Sequence, residues 1–173
     1  MKAAQADPKI YTFILTMRYS GLRISDVAKL RISSLESTNH LVLRTTKSKT
    51  PVKVLLPGVV AAALRALKPE NRDYFFWNGR SLARSNTDYW RQRRLAPVFK
   101  AAEIEHAHPH QFRHSFAVNL LKRGKPAGIV ATLLGNTEKV VVQYYSAFVE
   151  VRQQGLDDAV IDANDQLLPA AVD

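Results

Sequence analysis

The sequence predicts a mainly α-helical domain with one small antiparallel β-sheet. Two observations lead to this fold class. Apolar residues recur every three or four positions along most of the 173-residue chain, which is the spacing of amphipathic helices. Only residues 41–45 and 52–56 form a pair of β-rich runs, and the polar stretch between them has the composition of a hairpin turn.

The first half of the chain is predicted to contain the hairpin between short helices. Gly21 ends the first helical pattern, which begins after Pro8, and Pro57 ends the second strand. The hairpin tip, residues 46–51, is basic. The expected elements, in order, are a helix over 10–17, a short helix from 23–25, strands over 41–45 and 52–56, a helix over 59–67 and a third strand over 74–77.

The second half is predicted to be helical throughout. Pro109 opens a helix because the first helical position does not need its N–H, and Gly124 and Pro126 break that helix. Its expected apolar face consists of Phe112, Phe116 and Leu120. The other expected elements are a basic helical segment over 84–102, short helices over 129–134 and 137–148, and an amphipathic tail helix with Leu156, Val160 and Ile161 on its apolar side.

Composition narrows the classes of function. The chain has no cysteine, which excludes disulfides, Fe–S clusters and thiol catalysis. No apolar run approaches the roughly 18 residues of a membrane helix, so a cytoplasmic protein is expected. The net charge is +10, and residues 150–173 hold six acids against one base, so residues 1–149 carry +15. A body this basic predicts a polyanionic partner, most simply nucleic acid.

The segment over residues 106–114 is the first candidate for chemistry. His110 and Arg113 are three residues apart, so they share one face of the first turn of a helix. Free backbone N–H groups and the helix dipole favour an anion such as a phosphate at that position. The segment also holds histidines at 106, 108 and 114, but their spacing matches no familiar zinc pattern, so no metal site is expected.

Three further motifs carry polar residues in suggestive positions. Arg23 lies at the mouth of a short helix after a glycine turn, and Asp26, one turn on, is placed to orient it. The remaining candidates are Lys47 and Lys49 at the hairpin tip, Asn136 in the turn after residue 135, and Tyr144 and Tyr145 in the helix beyond that turn.

These four motifs, in this order and at this spacing, resemble the tyrosine recombinases, or phage-integrase family, from about residue 9 to residue 152. The resemblance implies that family's catalytic-domain fold over residues 1–149, followed by an acidic tail over 150–173. Family members usually carry an N-terminal DNA-binding domain, and we expect that domain to be absent here and the chain to be an isolated catalytic domain. Members also dock a C-terminal helix onto a neighbouring protomer, and we expect the tail to do this or to fold back on its own domain.

The resemblance also implies roles for the candidate residues. Arg23 and Arg113 match the two arginines of the family, Asp26 their acidic partner, Lys49 the hairpin lysine with Lys47 as its alternative, and Tyr145 the nucleophile. His110 matches the histidine that precedes the second arginine, and His114 follows that arginine, as is frequent. Asn136 stands where most members have histidine and some have tryptophan. Because an amide carries no proton to or from the reaction, a lower rate is expected, although Asn136 can still donate a hydrogen bond to a phosphate.

The implied reaction is DNA strand exchange through a 3′-phosphotyrosine. The tyrosine attacks a phosphodiester, the arginines hold its oxygens, the lysine protonates the leaving 5′-oxygen, and no metal or other cofactor takes part. The expected partner is double-stranded DNA bound by a homo-oligomer, most simply a tetramer, with no membrane and no small-molecule substrate. Two alternatives stay open: a type IB topoisomerase-like nicking-closing enzyme, and a DNA-binding module weakened in catalysis by Asn136.

Overall fold

The structure is a computed structural model that describes residues 4–165; within the last helix it describes the side chains up to Tyr145 and those of residues 148, 155 and 157–161. Helices and one pair of strands make up this part of the chain, as the sequence predicts. In order they are α1 (Pro8–Ser20), α2 (Ile24–Val27), a 3₁₀ turn (Ile32–Ser34), β1 (His40–Arg44), β2 (Pro51–Leu55), α3 (Gly58–Ala66), α4 (Ala83–Tyr89), a π-helical turn (Trp90–Leu95), α5 (Ala96–Ala101), α6 (His110–Lys122), α7 (Ala127–Leu134) and α8 (Glu138–Asp165).

Helix α1 is the centre of the larger core. The Asp7 carboxylate accepts hydrogen bonds from the amides of Lys9 and Ile10 and so caps its first turn. Gly21 ends the helix at φ +65°, where a Cβ would meet the Phe116 ring at 2.5 Å. The core on this side also contains β1, β2, α3 and the aromatic residues 75, 76 and 90.

The two strands pair antiparallel, with Leu41 opposite Val54, and each begins one residue earlier than predicted. The predicted third strand over 74–77 is wrong: Tyr74 forms only an isolated bridge with Arg31. The carbonyl of Phe76 accepts a hydrogen bond from the Trp90 indole at 2.9 Å instead of pairing with a neighbouring strand, and the side chains of Phe75 and Phe76 are buried in the core. The sheet therefore has two strands in the described chain.

The basic segment over 84–102 forms α4, the π-helical turn and α5 rather than one regular helix. The turn precedes Pro97, whose ring nitrogen cannot donate to a carbonyl in the preceding turn. Such π-helical turns are rare and occur mostly as single turns within longer helical segments, as here.

Helices α6, α7 and α8 enclose a second, smaller core that includes Leu121, Val130, Leu134 and Val141. The two cores meet at Gly21, which packs between Phe116 and Leu134. The predicted helix over 137–148 and the tail helix follow each other without a loop, and the kink that separates the two helical segments of α8 lies at Tyr145 (φ −130°, ψ 20°). Part of the predicted tail, residues 166–173, lies outside the described residues. Across 4–165, the helices do not combine the length and apolar composition that a membrane span requires.

Candidate active site

Arg113 lies at the junction of the two cores and is the most deeply buried charged side chain of the site, with 2% of its surface exposed. Its Nη1 donates to the carbonyl oxygen of Gly21 at 3.0 Å, and its Nη2 donates to that of Leu134 at 2.9 Å. These carbonyls close α1 and α7, where backbone oxygens lack helical partners and the helix dipoles are negative. One guanidinium therefore joins the ends of two helices.

Burial is the main cause that lowers the pKa of Arg113 to about 10, and the positive charge of Arg23 lowers it further. Tyr145 and Asp26 act in the opposite direction. Arg113 remains cationic at neutral pH. We expected Phe112, Phe116 and Leu120 to form the buried face of α6, but they are only partly buried. The fully buried face is the next one round the helix, Arg113, Ala117 and Leu121, because the carbonyls satisfy the guanidinium.

Arg23 is the second cation of the site and is tied to the turn that follows α7. Its Nη2 donates to Oδ1 of Asn136 at 2.9 Å, and its Nη1 is buried without a hydrogen-bond partner. Because an arginine only donates, the carbonyl oxygen of the Asn136 amide must face Arg23, and the NH₂ group of Asn136 points elsewhere. Asn136 thus orients an arginine while keeping two donors for another acceptor.

Asp26 does not orient Arg23 as the sequence suggested. No hydrogen bond or ion pair joins the two side chains in the structure of residues 4–165. Instead, Oδ1 of Asp26 accepts a hydrogen bond from the amide of Thr46 at 2.7 Å, and Oδ2 is buried without a partner. The carboxylate therefore holds the start of the hairpin tip, and its charge acts on Arg113.

His110 opens α6 and shares a cleft of about 320 Å³ with Arg23 and Arg113. Burial lowers the pKa of His110 below its usual 6.5, with smaller contributions from Arg113, His108, Arg23 and His114. The neutral imidazole, which can accept a proton, is therefore favoured at neutral pH.

Tyr145 lies at the break in α8 and is 7% exposed, whereas Tyr144 is 70% exposed. The Tyr145 ring lies against His114, with 5.1 Å between ring centroids. Burial raises the pKa of the Tyr145 hydroxyl, and the nearby charge of Arg113 opposes this. The structure therefore brings Tyr145 into the electrostatic range of Arg113.

The hairpin lysines lie apart from this cluster. Lys49 is exposed and borders a second cleft, of about 530 Å³, which is also bordered by Asp26 and Arg44. Lys47 is exposed too and makes no described contact. The residues brought together are Arg23, His110, Arg113, Asn136 and Tyr145, with His114 beside the tyrosine and Lys49 across Asp26 from them.

Sequence reasoning missed two features of the site. Arg91 also lines the cleft of Arg23 and His110, and its signal in the sequence was the segment 91–94, in which three of four residues are arginines. The carbonyls of Gly21 and Leu134 carry no side-chain signal, because only the packing of three helices brings them to Arg113. Within residues 4–165, no three His, Asp or Glu side chains converge as metal ligands do.

The structure thus places two arginines, a histidine and a buried tyrosine near one another on a helical scaffold with one hairpin. The sequence matches the phage integrase family over residues 1–150, and the chain belongs to that family. It is 32% identical over 153 residues to a tyrosine recombinase of Thermosipho africanus (strain TCF52B), covering 86% of this chain and 52% of that protein. It is 34% identical over 141 residues to the tyrosine recombinase XerC of Mesorhizobium japonicum (strain LMG 29417 / CECT 9101 / MAFF 303099), covering 77% and 45%.

Solved structures share the fold. The crystal structure of XerA recombinase superimposes with a TM-score of 0.70 at 22% identity, over 89% of this chain and 60% of that one. A lambda integrase (75–356) dimer bound to a COC′ core site gives a TM-score of 0.60 at 16% identity, over 83% and 54%. The chain spans about half the length of the curated relatives that it matches. The expected fold, a mainly helical tyrosine-recombinase catalytic domain with a small sheet, is confirmed.

Proposed function

We propose that this chain is the catalytic domain of a site-specific recombinase, which cleaves and rejoins double-stranded DNA through a 3′-phosphotyrosine at Tyr145. The observation that carries the proposal is the cluster in which Arg113 shares a cleft with Arg23 and His110 and acts electrostatically on the buried Tyr145. Membership of the phage integrase family supports it.

Arg23 and Arg113 would hold the scissile phosphate. In-line displacement builds negative charge on the non-bridging oxygens, and a guanidinium fork donates two parallel N–H groups to such oxygens while staying charged. Both terminal nitrogens of Arg113 already donate to carbonyls, but each carries a second N–H. The carbonyls thereby fix the arginine before substrate binds, which reduces the reorganisation that the reaction requires.

Tyr145 is the proposed nucleophile, and its raised pKa means that its hydroxyl needs a proton acceptor. Neutral His110 shares the arginine cleft and is the proposed acceptor. His114, which contacts the Tyr145 ring, would keep that ring in place. The tyrosine oxygen then forms a bond to phosphorus while the bond from phosphorus to the 5′-oxygen breaks.

Lys49 would protonate the departing 5′-oxygen, which is a poor leaving group as an alkoxide. Lys47 is the alternative donor, since both lie at the exposed hairpin tip. The NH₂ group of Asn136 would add a hydrogen bond to the phosphate, although it cannot transfer a proton. In the reverse step the free 5′-hydroxyl attacks the phosphotyrosine, so rejoining needs no ATP. The cations supply the charge that a metal ion supplies elsewhere, so the reaction is proposed to be metal-independent.

The proposed assembly is a homo-oligomer on DNA, most simply a tetramer, because strand exchange requires two paired sites. The exposed apolar residues Val160 and Ile161 near the end of α8, 60% and 57% exposed, support a docking role for the tail on a neighbouring protomer. The acidic tail would then lie away from the DNA, where it does not repel the phosphates.

The test is covalent capture. The full chain is incubated, with EDTA present, with nicked duplexes of randomised sequence, so that the freed 5′-hydroxyl fragment diffuses away and any protein–DNA adduct accumulates. We expect an adduct that survives denaturation, with an enriched DNA sequence, and that disappears in Tyr145→Phe. Tyr144→Phe is the matched control, because it removes the same hydroxyl from the neighbouring, exposed position.

The outcomes separate the alternatives. An adduct that persists in Tyr145→Phe and is lost in Tyr144→Phe would move the nucleophile by one residue. Sequence-specific binding without any adduct would assign the chain to a DNA-binding module. Relaxation of supercoiled plasmid without pairing of two sites would favour the topoisomerase-like activity.

A further inference from the structure

Three hydroxyls and one backbone amide form a closed hydrogen-bonded network at the hairpin tip. Oγ of Ser48 lies 2.7 Å from Oγ1 of Thr45 and accepts a hydrogen bond from Oγ1 of Thr50 at 2.9 Å. Oγ1 of Thr45 in turn accepts from the amide of Thr50 at 3.2 Å. The side chain of Ser48 is therefore the point where both arms of the tip meet.

Ser48 also reaches out of the hairpin. Its Oγ donates to the carbonyl of Gly135 at 3.2 Å. A carbonyl only accepts, so the single hydroxyl proton of Ser48 is committed to Gly135, and the protons of Thr45 and Thr50 both point to Ser48. Every hydroxyl proton of the network then has one defined acceptor.

The contact joins two parts of the candidate site. Gly135 precedes Asn136, whose amide oxygen accepts from Arg23. Gly135 has φ +60°, and a Cβ there would lie 2.8 Å from methyl groups of Thr45 and Val52, so the turn packs directly on the hairpin. The hydrogen bond from Ser48 to Gly135 makes this contact dependent on orientation as well as on packing.

Lys49, the next residue, has a constrained backbone. Its φ is +55°, in the left-handed region that residues other than glycine rarely adopt. Its amide donates to the carbonyl of Thr45 at 3.0 Å, and its carbonyl accepts from Arg44 at 3.2 Å. The direction in which the Lys49 side chain leaves the tip is therefore set by the same short loop that Ser48 ties to Gly135.

We infer that Ser48 is a positioning residue, which places Lys49 for proton donation by fastening the hairpin tip to the turn that carries Asn136. The inference rests on the proposed function, because it requires Lys49 to protonate the leaving oxygen. A tip without this link would keep its fold through the strand pairs and the Asp26–Thr46 hydrogen bond, but the lysine would reach the 5′-oxygen less often.

The test compares two leaving groups on the DNA sequence that covalent capture enriches. One substrate has the natural 5′-oxygen at the scissile bond, and the other has a bridging 5′-sulfur. A thiol has a pKa near 8.5, so a thiolate leaves without a proton. Loss of the proton donor slows cleavage of the first substrate and spares the second.

The variants are Ser48→Ala, Lys49→Ala and the control Thr46→Val, whose lost hydroxyl makes no described hydrogen bond. We expect Lys49→Ala to lose about 100-fold or more on the oxygen substrate, the usual contribution of a general acid. Ser48→Ala should lose on the order of 10-fold, since the lysine is retained but misplaced. Both variants should return to within about twofold of the parent on sulfur if only the proton step is affected, and Thr46→Val should match the parent on both substrates.

An equal loss by Ser48→Ala on both substrates, or no loss on oxygen, would overturn the positioning role of Ser48. A Lys49→Ala defect that sulfur does not restore would overturn the role of Lys49 and this inference with it. Failure of the parent chain to form any adduct refutes the proposed function itself. Full activity of Lys49→Ala would also overturn the inference. Repeating the series with Lys47→Ala would then test whether Lys47 is the proton donor.

Discussion

Replacing Arg113 by leucine separates the structural work of this arginine from its proposed catalytic work. The substitution introduces an apolar side chain of moderate size and leaves two buried carbonyls, those of Gly21 and Leu134, without their hydrogen-bond donor. Each buried acceptor left unsatisfied costs about 1–3 kcal/mol. Part of this loss in stability is offset, because the substitution also removes a buried charge. We expect the free energy of unfolding to fall by about 2–4 kcal/mol, equivalent to roughly 5–15 °C in Tm for a chain of this size.

Arg23→Leu is the matched control. Arg23 is half-buried and makes one side-chain hydrogen bond, to Asn136, and its Nη1 is already without a partner. Its loss should cost about 1 kcal/mol or less. Urea unfolding followed by tryptophan fluorescence, to which the buried Trp90 contributes, measures both variants at a common m-value. Arg113→Leu within 1 kcal/mol of the parent, or an equal loss in Arg23→Leu, would refute the assignment of Arg113 as the link between two helix ends.

Four further predictions concern the proposed reaction. The single-turnover cleavage rate should fall on acidification with a midpoint below pH 6.5, because the pKa of His110 is lowered and its neutral form accepts the proton. A rate that keeps rising tenfold per pH unit from pH 7 to 9 would instead show that Tyr145 ionises without a catalytic base. Asn136→His should raise the cleavage rate up to about tenfold, since an imidazole can transfer a proton, and an unchanged or lower rate would mean that the hydrogen bond to Arg23 matters more. In titrations at increasing salt, the log of DNA affinity should fall by about 0.9 per neutralised phosphate against log salt, and a flat response would contradict a phosphate-dominated interface. Deleting residues 153–173 removes five acids and should leave single-site binding intact or slightly tighter while weakening association of protomers on DNA by sedimentation; unchanged assembly would deny the tail a docking role.

The sequence by itself determined the fold class and the main elements. Helical periodicity, together with Pro8 and Gly21 at its ends, predicted α1, because caps and apolar spacing act locally. The hairpin was predicted within one residue for the same reason. The resemblance selected Tyr145 over Tyr144, and the burial of Tyr145 beside Arg113 is consistent with that choice.

Tertiary structure decided how the candidate residues are held. A face of α6 that carries an arginine is expected to meet solvent, but Arg113 is buried because the ends of α1 and α7 present carbonyls to it. Asp26 holds Thr46 rather than Arg23, because the hairpin tip presents the backbone amide of Thr46 to its carboxylate. Residues 74–77 have the composition of a strand, yet the backbone carbonyl of Phe76 accepts a hydrogen bond from the Trp90 indole rather than from another strand. In each case the partner is a backbone group or side chain distant in sequence, and no local pattern of side chains records where such a group will lie.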